Sequence, residues 1–305
     1  MFETLVQAIA QGVLLGGYYA IIAAGLSLMF GVVRFINLAH GDMLVLGAML
    51  ALFAVEGMGW PVWLAVLTVL PVMAALGWLA QGLMFERALQ GGALLPILVT
   101  LGLGAALQNA MFGLFGSNTR SLGAHIGALS WSGWTLPGGI TLGKLPVLVF
   151  VTAVGVLGLL HLMMTRTRLG RAIRATASDP EAAELCGIDA RRVHRAAAAI
   201  AAALAALGGV FLAMRAQVTP YAGPAQLIFA FEAVVIGGVG SLWGTLIGGI
   251  VLGLAQTLGG AIAPQLSLLA GHLVLLAALA WRILRDEAAA RGGWRALTLR
   301  GGETR

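Results

Sequence analysis

Long stretches of this chain pass without a single Lys, Arg, Asp or Glu: residues 4–33, 57–85, 88–119, 145–165, 196–214 and 233–281. A helix needs about 20 mostly apolar residues to cross a bilayer, so each stretch has the length of at least one crossing. Turn signals divide the chain into eight hydrophobic segments, near 5–33, 43–55, 61–84, 93–115, 146–164, 196–214, 226–258 and 262–281. The second is short unless it takes in the polar residues before it. The seventh is long and carries Gly237, Gly238, Gly240, Gly244, Gly248, Gly249 and Gly253. That composition suits either close helix packing or a broken, re-entrant element. The pattern predicts an all-α polytopic membrane protein of about eight hydrophobic segments, with a break or re-entry within 226–258.

Composition agrees with that reading. Of the 305 residues, 60% are hydrophobic and only 10% charged, against roughly 25% charged in ordinary soluble domains. No soluble core hides so much apolar surface. The net charge of +6 does not point to nucleic acid, whose binders gather Lys and Arg on one water-exposed face. Here the cations are nearly all Arg and fall between the hydrophobic runs and in the C-terminal tail, where they read as membrane-flanking charge. The lone cysteine, Cys186, excludes an intrachain disulfide and a cysteine-based metal site. The start, MFETLVQAIAQG, has an acid and no basic n-region, so it reads as a retained span rather than a cleaved signal.

Arg and Lys in short loops set orientation, because they favour the cytoplasmic side. The connection RTRLGRAIRATASDPEAAELCGIDARRVHR, within 165–195, holds seven Arg, and six more follow Trp281. Both segments are expected in the cytoplasm. Counting spans backward places the loops of Arg34 and Arg87 there too, and the N-terminus and the loop 116–144, with Trp131, Trp134 and Pro137, outside. Two cytoplasmic anchors flank the last three segments, so an even number of crossings must lie between them. Either 226–258 enters and returns to the same side, or it crosses twice as a tight hairpin; the glycine content permits both, and a broken element is favoured. Residues 1–285 then form one transmembrane domain with a cytoplasmic loop at 165–195, and 286–305 a basic cytoplasmic tail.

Two polar sites interrupt the apolar chain. In VVRFINLAHGDMLVLGA, residues 32–48, Arg34, Asn37, His40 and Asp42 fall within nine positions. One reading is a helix break at the membrane edge or along a cavity, where Asn37 and Asp42 satisfy freed backbone groups and Gly41 turns the chain. The other is an ordinary cytoplasmic turn. The remaining histidines lie in unrelated segments without metal-ligand spacing. The second site is Glu232, beside the charge-free run that opens at Ala233. An ionisable group at depth marks function by default. A span starting near Gln226 puts Glu232 only about 9 Å in, near enough to the surface to snorkel, so a pathway or subunit-pairing role and a snorkelling role both stand.

The large basic loop contains SDPEAAELCGID. Asp179 is placed as an N-cap, Pro180 as the first helical residue, and Glu181 complements the positive helix end. Gly187 is placed to end the helix in a left-handed conformation. Ala182, Ala183, Leu185 and Cys186 lie between. Two turns of helix are marginal alone and need tertiary support, from a partner protein or from the membrane domain itself.

EAAELCG in this position resembles the E-A-A-x-x-x-G signature of the cytoplasmic loop of bacterial ABC-importer permeases. GLSLMFGVVRFINLAHGDMLVLGA, from Gly25 to Ala48, and TPYAGPAQLIFAFEAVVIGGVGSLWGTLIGGIVLGLAQ, from Thr219 to Gln256, resemble two further regions of the branched-chain amino-acid permeases. Taken in order, the three cover nearly the whole membrane portion, and the chain is similar to the LivH type. The resemblance implies a channel-forming subunit of the bacterial inner membrane, not an enzyme. It implies pairing with a second permease subunit, two ATP-binding subunits on the cytoplasmic loops, and an external substrate-binding protein. In that comparison Asp179, Pro180, Glu181, Ala182, Ala183 and Gly187 couple to the ATPases. Asn37, His40, Gly41, Asp42, Glu232, Gly237, Gly238 and Gly240 become candidates for the pathway or its helix breaks. Glu232 departs from the family pattern, which has mostly small or apolar residues there. The chain has no G-x-x-x-x-G-K-[ST] string, so it carries no cofactor of its own, and ATP and Mg²⁺ are expected on the partner chains. Branched-chain or other neutral amino acids are the leading substrates, with urea or amides as alternatives within the family. A secondary transporter or channel is the alternative of another class.

Overall fold

A computed structural model describes residues 2–92, 94–136 and 139–300, with side chains from 3 to 285; Met1, Ala93, Pro137, Gly138 and 301–305 lie outside the described residues. The helices are α1 Phe2–Val33, α2 His40–Leu52, α3 Val62–Ala80, α4 Glu86–Gln90, α5 Leu94–Phe115, α6 Lys144–Arg166, α7 Arg168–Ser178, α8 Pro180–Leu185, α9 Ala190–Arg215, α10 Gly223–Gly237, α11 Leu242–Ile262 and α12 Leu266–Arg300. Among the described residues eight helices are long and apolar enough to cross a membrane. The protein is an all-α, multi-pass membrane protein. Its one described sheet is a small antiparallel hairpin of β1 Gly133–Thr135 and β2 Thr141–Gly143, which the hydrophobic pattern of 116–144 did not announce.

Helix α1 is apolar on every side and sits at the centre, packed against α11, α9, α6 and α10, as an all-round hydrophobic helix should. Helix α9 fills the other half of the core with α2 and α3 against it. Small residues permit these approaches. A Cβ on Gly47 would lie 2.6 Å from the Cα of Ala206, and one on Gly77 would lie 2.5 Å from the carbonyl of Ala198. Helices α3, α5, α6 and α12 instead show most of their surface outward. The second hydrophobic segment gains length as anticipated: α2 begins at His40, inside the polar cluster, and runs into a π turn at Phe53–Gly57.

The seventh segment is not one element. It is broken into α10, only 15 residues long, and α11, which has the length of a span. The turn between them places Gly238 at φ 99° and Gly240 at φ 79°, conformations that a side chain disfavours. The two helices return on each other through close contacts, with a Cβ on Gly248 falling 2.1 Å from the carbonyl of Ala233. Helix packing and chain breakage, which the glycine content left open, both occur here.

The basic loop holds more structure than its capped segment suggested. Helix α7 precedes α8 and buries Gly170, Ile173 and Thr176 while Arg168 and Arg171 face out. Thr167 caps it, its side chain accepting from the Gly170 N–H at 3.0 Å. The Arg-bearing elements gather at one end of the bundle. Gly240 packs on Gly31 near Arg34, the Arg282 guanidinium lies over Gly238, and Arg195 makes a bidentate pair with Glu86 at 2.6 and 2.9 Å. At the opposite end Arg120 bridges to Val218 and Gln7 bonds to Thr141. Helix α12 continues as helical backbone past the hydrophobic part, through Arg300.

Candidate functional site

The chain leaves α1 through Arg34, the described non-glycine residue with a left-handed backbone (φ 60°), and then runs back into the bundle without helical structure. Asn37 organises this return. Its side-chain oxygen accepts from the Ala39 N–H at 3.1 Å, and its carbonyl accepts from the His40 N–H at 3.2 Å. Such local bonds substitute for a helix ladder where lipid offers none. His40 Nε2 donates to the carbonyl of Ile22 at 2.9 Å, within α1. The ring therefore bolts the re-entering chain to the central helix.

Asp42 is 3% exposed. Gln108 of α5 donates to its Oδ1 at 2.8 Å, and Gly104 of α5 faces its other oxygen, where a Cβ would come within 2.6 Å. Gly104 lies half-way along the 22-residue α5. Asp42 is therefore deep between the ends of the spans, and the reading of this stretch as an ordinary turn is corrected. The first residue of α10, Gly223, meets the same carboxylate, with a Cβ there falling 2.1 Å from Oδ1. A helix that starts inside the bundle exposes a positive dipole end and unpaired N–H groups, and an anion beside it is favourable. Gly41 completes the fit, since a Cβ on it would strike the carbonyl of Gly223 at 2.0 Å. Asn37, His40, Gly41 and Asp42 thus form one site, where two broken helices, α2 and α10, start side by side.

Glu232 belongs elsewhere. It is 1% exposed and its Oε1 accepts from Nδ1 of His272 on α12. The snorkelling alternative is corrected: α10 begins at Gly223, deep in the bundle rather than at a surface, so depth cannot be counted inward from Gln226. Glu232 Oε2 and Gln256 Nε2 are buried without partners, while Gln256 Oε1 accepts from the Tyr19 hydroxyl. His272 went unnoticed in the sequence because it stands alone in an apolar run, forty positions away. Gly237, Gly238 and Gly240 lie at neither site; they build the turn at the Arg-rich end.

The loop helix α8 is terminated as its sequence indicates. Asp179 Oδ1 accepts from the N–H groups of Glu181 and Ala182 at 3.0 and 3.1 Å. Gly187 stands at φ 80°. The Ile188 N–H donates to the Ala183 carbonyl at 3.0 Å and the Gly187 N–H to that of Glu184 at 2.9 Å, the paired bonds of a Schellman stop. Its faces differ from expectation. Ala183 is 4% exposed and packs inward, whereas Leu185 is 91% exposed, with Ala182 and Cys186 also outward. The face available to a partner is Ala182 and Leu185, not Ala183.

A family profile described as "Branched-chain amino acid transport system / permease component" matches residues 8–279. The high-affinity branched-chain amino acid transport system permease protein BraD of Pseudomonas aeruginosa is 30% identical, over 83% of this chain and 85% of BraD. LivH of Escherichia coli K12, of the same description, is 28% identical over 85% of this chain and 87% of LivH. The fructose import permease protein FrcC of Rhizobium meliloti is 30% identical over 83% of this chain and 72% of FrcC. The match spans every helix that shapes the two broken-helix sites and the capped loop, and the chain belongs to the branched-chain amino acid transport permease family.

Proposed function

We propose that this chain is one permease subunit of an ABC importer of the bacterial inner membrane, moving branched-chain or other neutral amino acids with energy from ATP hydrolysed on partner chains. The observation that carries the coupling role is α8, a rigidly capped helix at the Arg-rich end that holds an apolar side chain, Leu185, almost wholly in solvent. A leucine so placed is more stable in a groove of another protein, by about 1.5–3 kcal/mol if fully covered. The ATP-binding subunit is the occupant this reading assigns.

The translocation path is assigned to the outward face of α5. The outward faces of α3 and α12 carry Trp63, Leu67, Leu273 and Leu276, large apolar groups suited to lipid. That of α5 carries Leu94, Leu98, Leu101 and Leu114 as well, but it also exposes Gly102, Ala105, Asn109 and Gly113, small and polar positions at which a second permease subunit and a solute can approach. Asp42, through Gln108, fixes this helix to the start of α10, where Tyr221 stacks near Phe112 at 6.0 Å. Amino acids are preferred over the sugar named for FrcC because BraD and LivH match over a larger share of their own length.

The test is reconstitution of the permease pair, ATPases and binding protein in vesicles, with labelled leucine and fructose supplied in turn. Leucine uptake that requires ATP and survives a proton ionophore is expected. Uptake that collapses with the ionophore and ignores ATP makes the chain a secondary transporter instead. In the same system Leu185→Asp is expected to insert normally yet lose co-purifying ATPase and uptake. Full ATPase association in that variant removes α8 from the coupling role.

A further inference from the structure

A cavity of about 410 Å³ opens at the Arg-rich end between the close of α1, the α6–α7 corner and the start of α11. Its polar lining is Arg34, Arg174, Ser27 and Ser178, and its apolar lining includes Leu28 and Met164. No carboxylate lines it. Among the described residues neither Arg34 nor Arg174 enters an ion pair. Arg34 spends one guanidinium N–H on the carbonyl of Ala177 at 2.7 Å, which ties α7 to the chain leaving α1. Ser27 is 0% exposed, and its hydroxyl has no hydrogen-bond partner, although helical serines commonly bond back to their own helix. Helix α11 begins at the cavity wall with Leu242, so its positive dipole end adds to the two guanidinium charges.

We propose that this cavity binds a phosphate group, and that the group is the headgroup of an anionic phospholipid from the leaflet at the Arg-rich end. Two guanidinium groups without counter-ions, a helix N-terminus and a partnerless buried hydroxyl are the donors a phosphodiester requires. Depth favours a lipid over free phosphate. Ser27 lies six residues inside the end of α1, about 9 Å deeper than Val33, and Leu28, Met164 and Leu242 continue the wall with apolar surface that an acyl chain and not a free anion would cover. Trp243, adjoining Leu242, is partly exposed and lies 6.2 Å from the ring of His161; indoles prefer the headgroup level of a bilayer. Basic pockets between helices at that level are suited to anionic lipid headgroups. The inference is independent of which solute the permease carries.

The test uses the assembled complex, returned to vesicles of phosphatidylcholine containing a minor fraction of phosphatidylglycerol, re-extracted in mild detergent and weighed by native mass spectrometry. Two double variants are compared, Arg34→Gln with Arg174→Gln inside the cavity and Arg166→Gln with Arg168→Gln outside it. Both remove the same charge. Retained phosphatidylglycerol is expected on the unmodified complex, at near-equal occupancy in the outer variant, and lowered roughly tenfold or more in the cavity variant. Inorganic phosphate is titrated onto the lipid-free complex in parallel. Binding of phosphate with the same variant dependence, and no retained lipid, upholds the anion site with a free ion as its source. Equal loss in both variants reduces the effect to surface charge and overturns the proposal, as does binding of neither probe.

Discussion

At the residue scale the molecule depends on a few polar groups that are expensive to bury, some of which are held by a single partner. Glu232 is the clearest case, a carboxylate inside an apolar bundle whose one bond runs to His272. Removing one partner of a buried pair leaves the other uncompensated, at a cost of roughly 3–5 kcal/mol, while removing both with a neutral replacement is often tolerated. His272 is partly exposed, which lowers that figure, so His272→Ala is expected to cost on the order of 3 kcal/mol. Adding Glu232→Gln to it should restore most of the loss. Thermal unfolding of the purified complex measures both, and an additive double variant shows that the two side chains do not act as a pair. The sequence disclosed only half of this site, because a charge in an apolar run is conspicuous while a single histidine is not. The same asymmetry hid Gln108, which holds Asp42 from a helix read as uniformly apolar.

At the element scale, capping chemistry was the most legible feature. Asp179, Pro180 and Gly187 act as their order implies because caps are local and need no knowledge of the fold. The facing of α8 was not legible, since a two-turn alanine-rich helix has no periodicity to show which side packs. Helix α7 was missed for another reason: its buried positions are Gly170, Ile173 and Thr176, only one of them a large hydrophobe. The stop at Gly187 has a measurable consequence. Nothing lies within 4 Å of a Cβ built there, so a substitution meets no clash and the cost is purely one of backbone conformation. Gly187→Ala should cost about 1 kcal/mol, and β-branched Gly187→Val more. With space available in both cases, uptake and ATPase association should fall in that order while insertion stays normal. Equal activity in all three proteins removes the rigid termination of α8 from the coupling role.

At the scale of the whole molecule, the problem posed by the last three hydrophobic segments is one of parity, and broken helices solve it. Helix α10 starts beside Asp42, deep in the bundle, and ends at the turn where Arg282 covers Gly238; α11 then returns toward the opposite end along α1, from Ile250 beside Gly16 to Thr257 beside Gly12. The pair makes no net crossing, which leaves α9 and α12 as the two that count. Sequence favoured a break but did not show where α10 begins, because that start is set by Asp42, nearly two hundred residues away. Orientation is expected to follow from charge. Arg34, Arg87, the arginines of 166–195 and Arg282 are joined to one end by the contacts of Gly31 with Gly240, Glu86 with Arg195 and Arg282 with Gly238. Lys144, Arg120 and Arg215 hold the other end with β1 and β2. In a Cys186→Ser background, Trp134→Cys and Arg191→Cys place single thiols at exposed positions of opposite ends. An impermeant maleimide applied to intact spheroplasts is expected to label position 134 and not position 191, with the pattern at 191 restored only after lysis. The reverse pattern inverts the molecule. It would put the α8 face outside the cell, where no ATP-hydrolysing partner reaches it, and the coupling role of Leu185 would fall with the orientation.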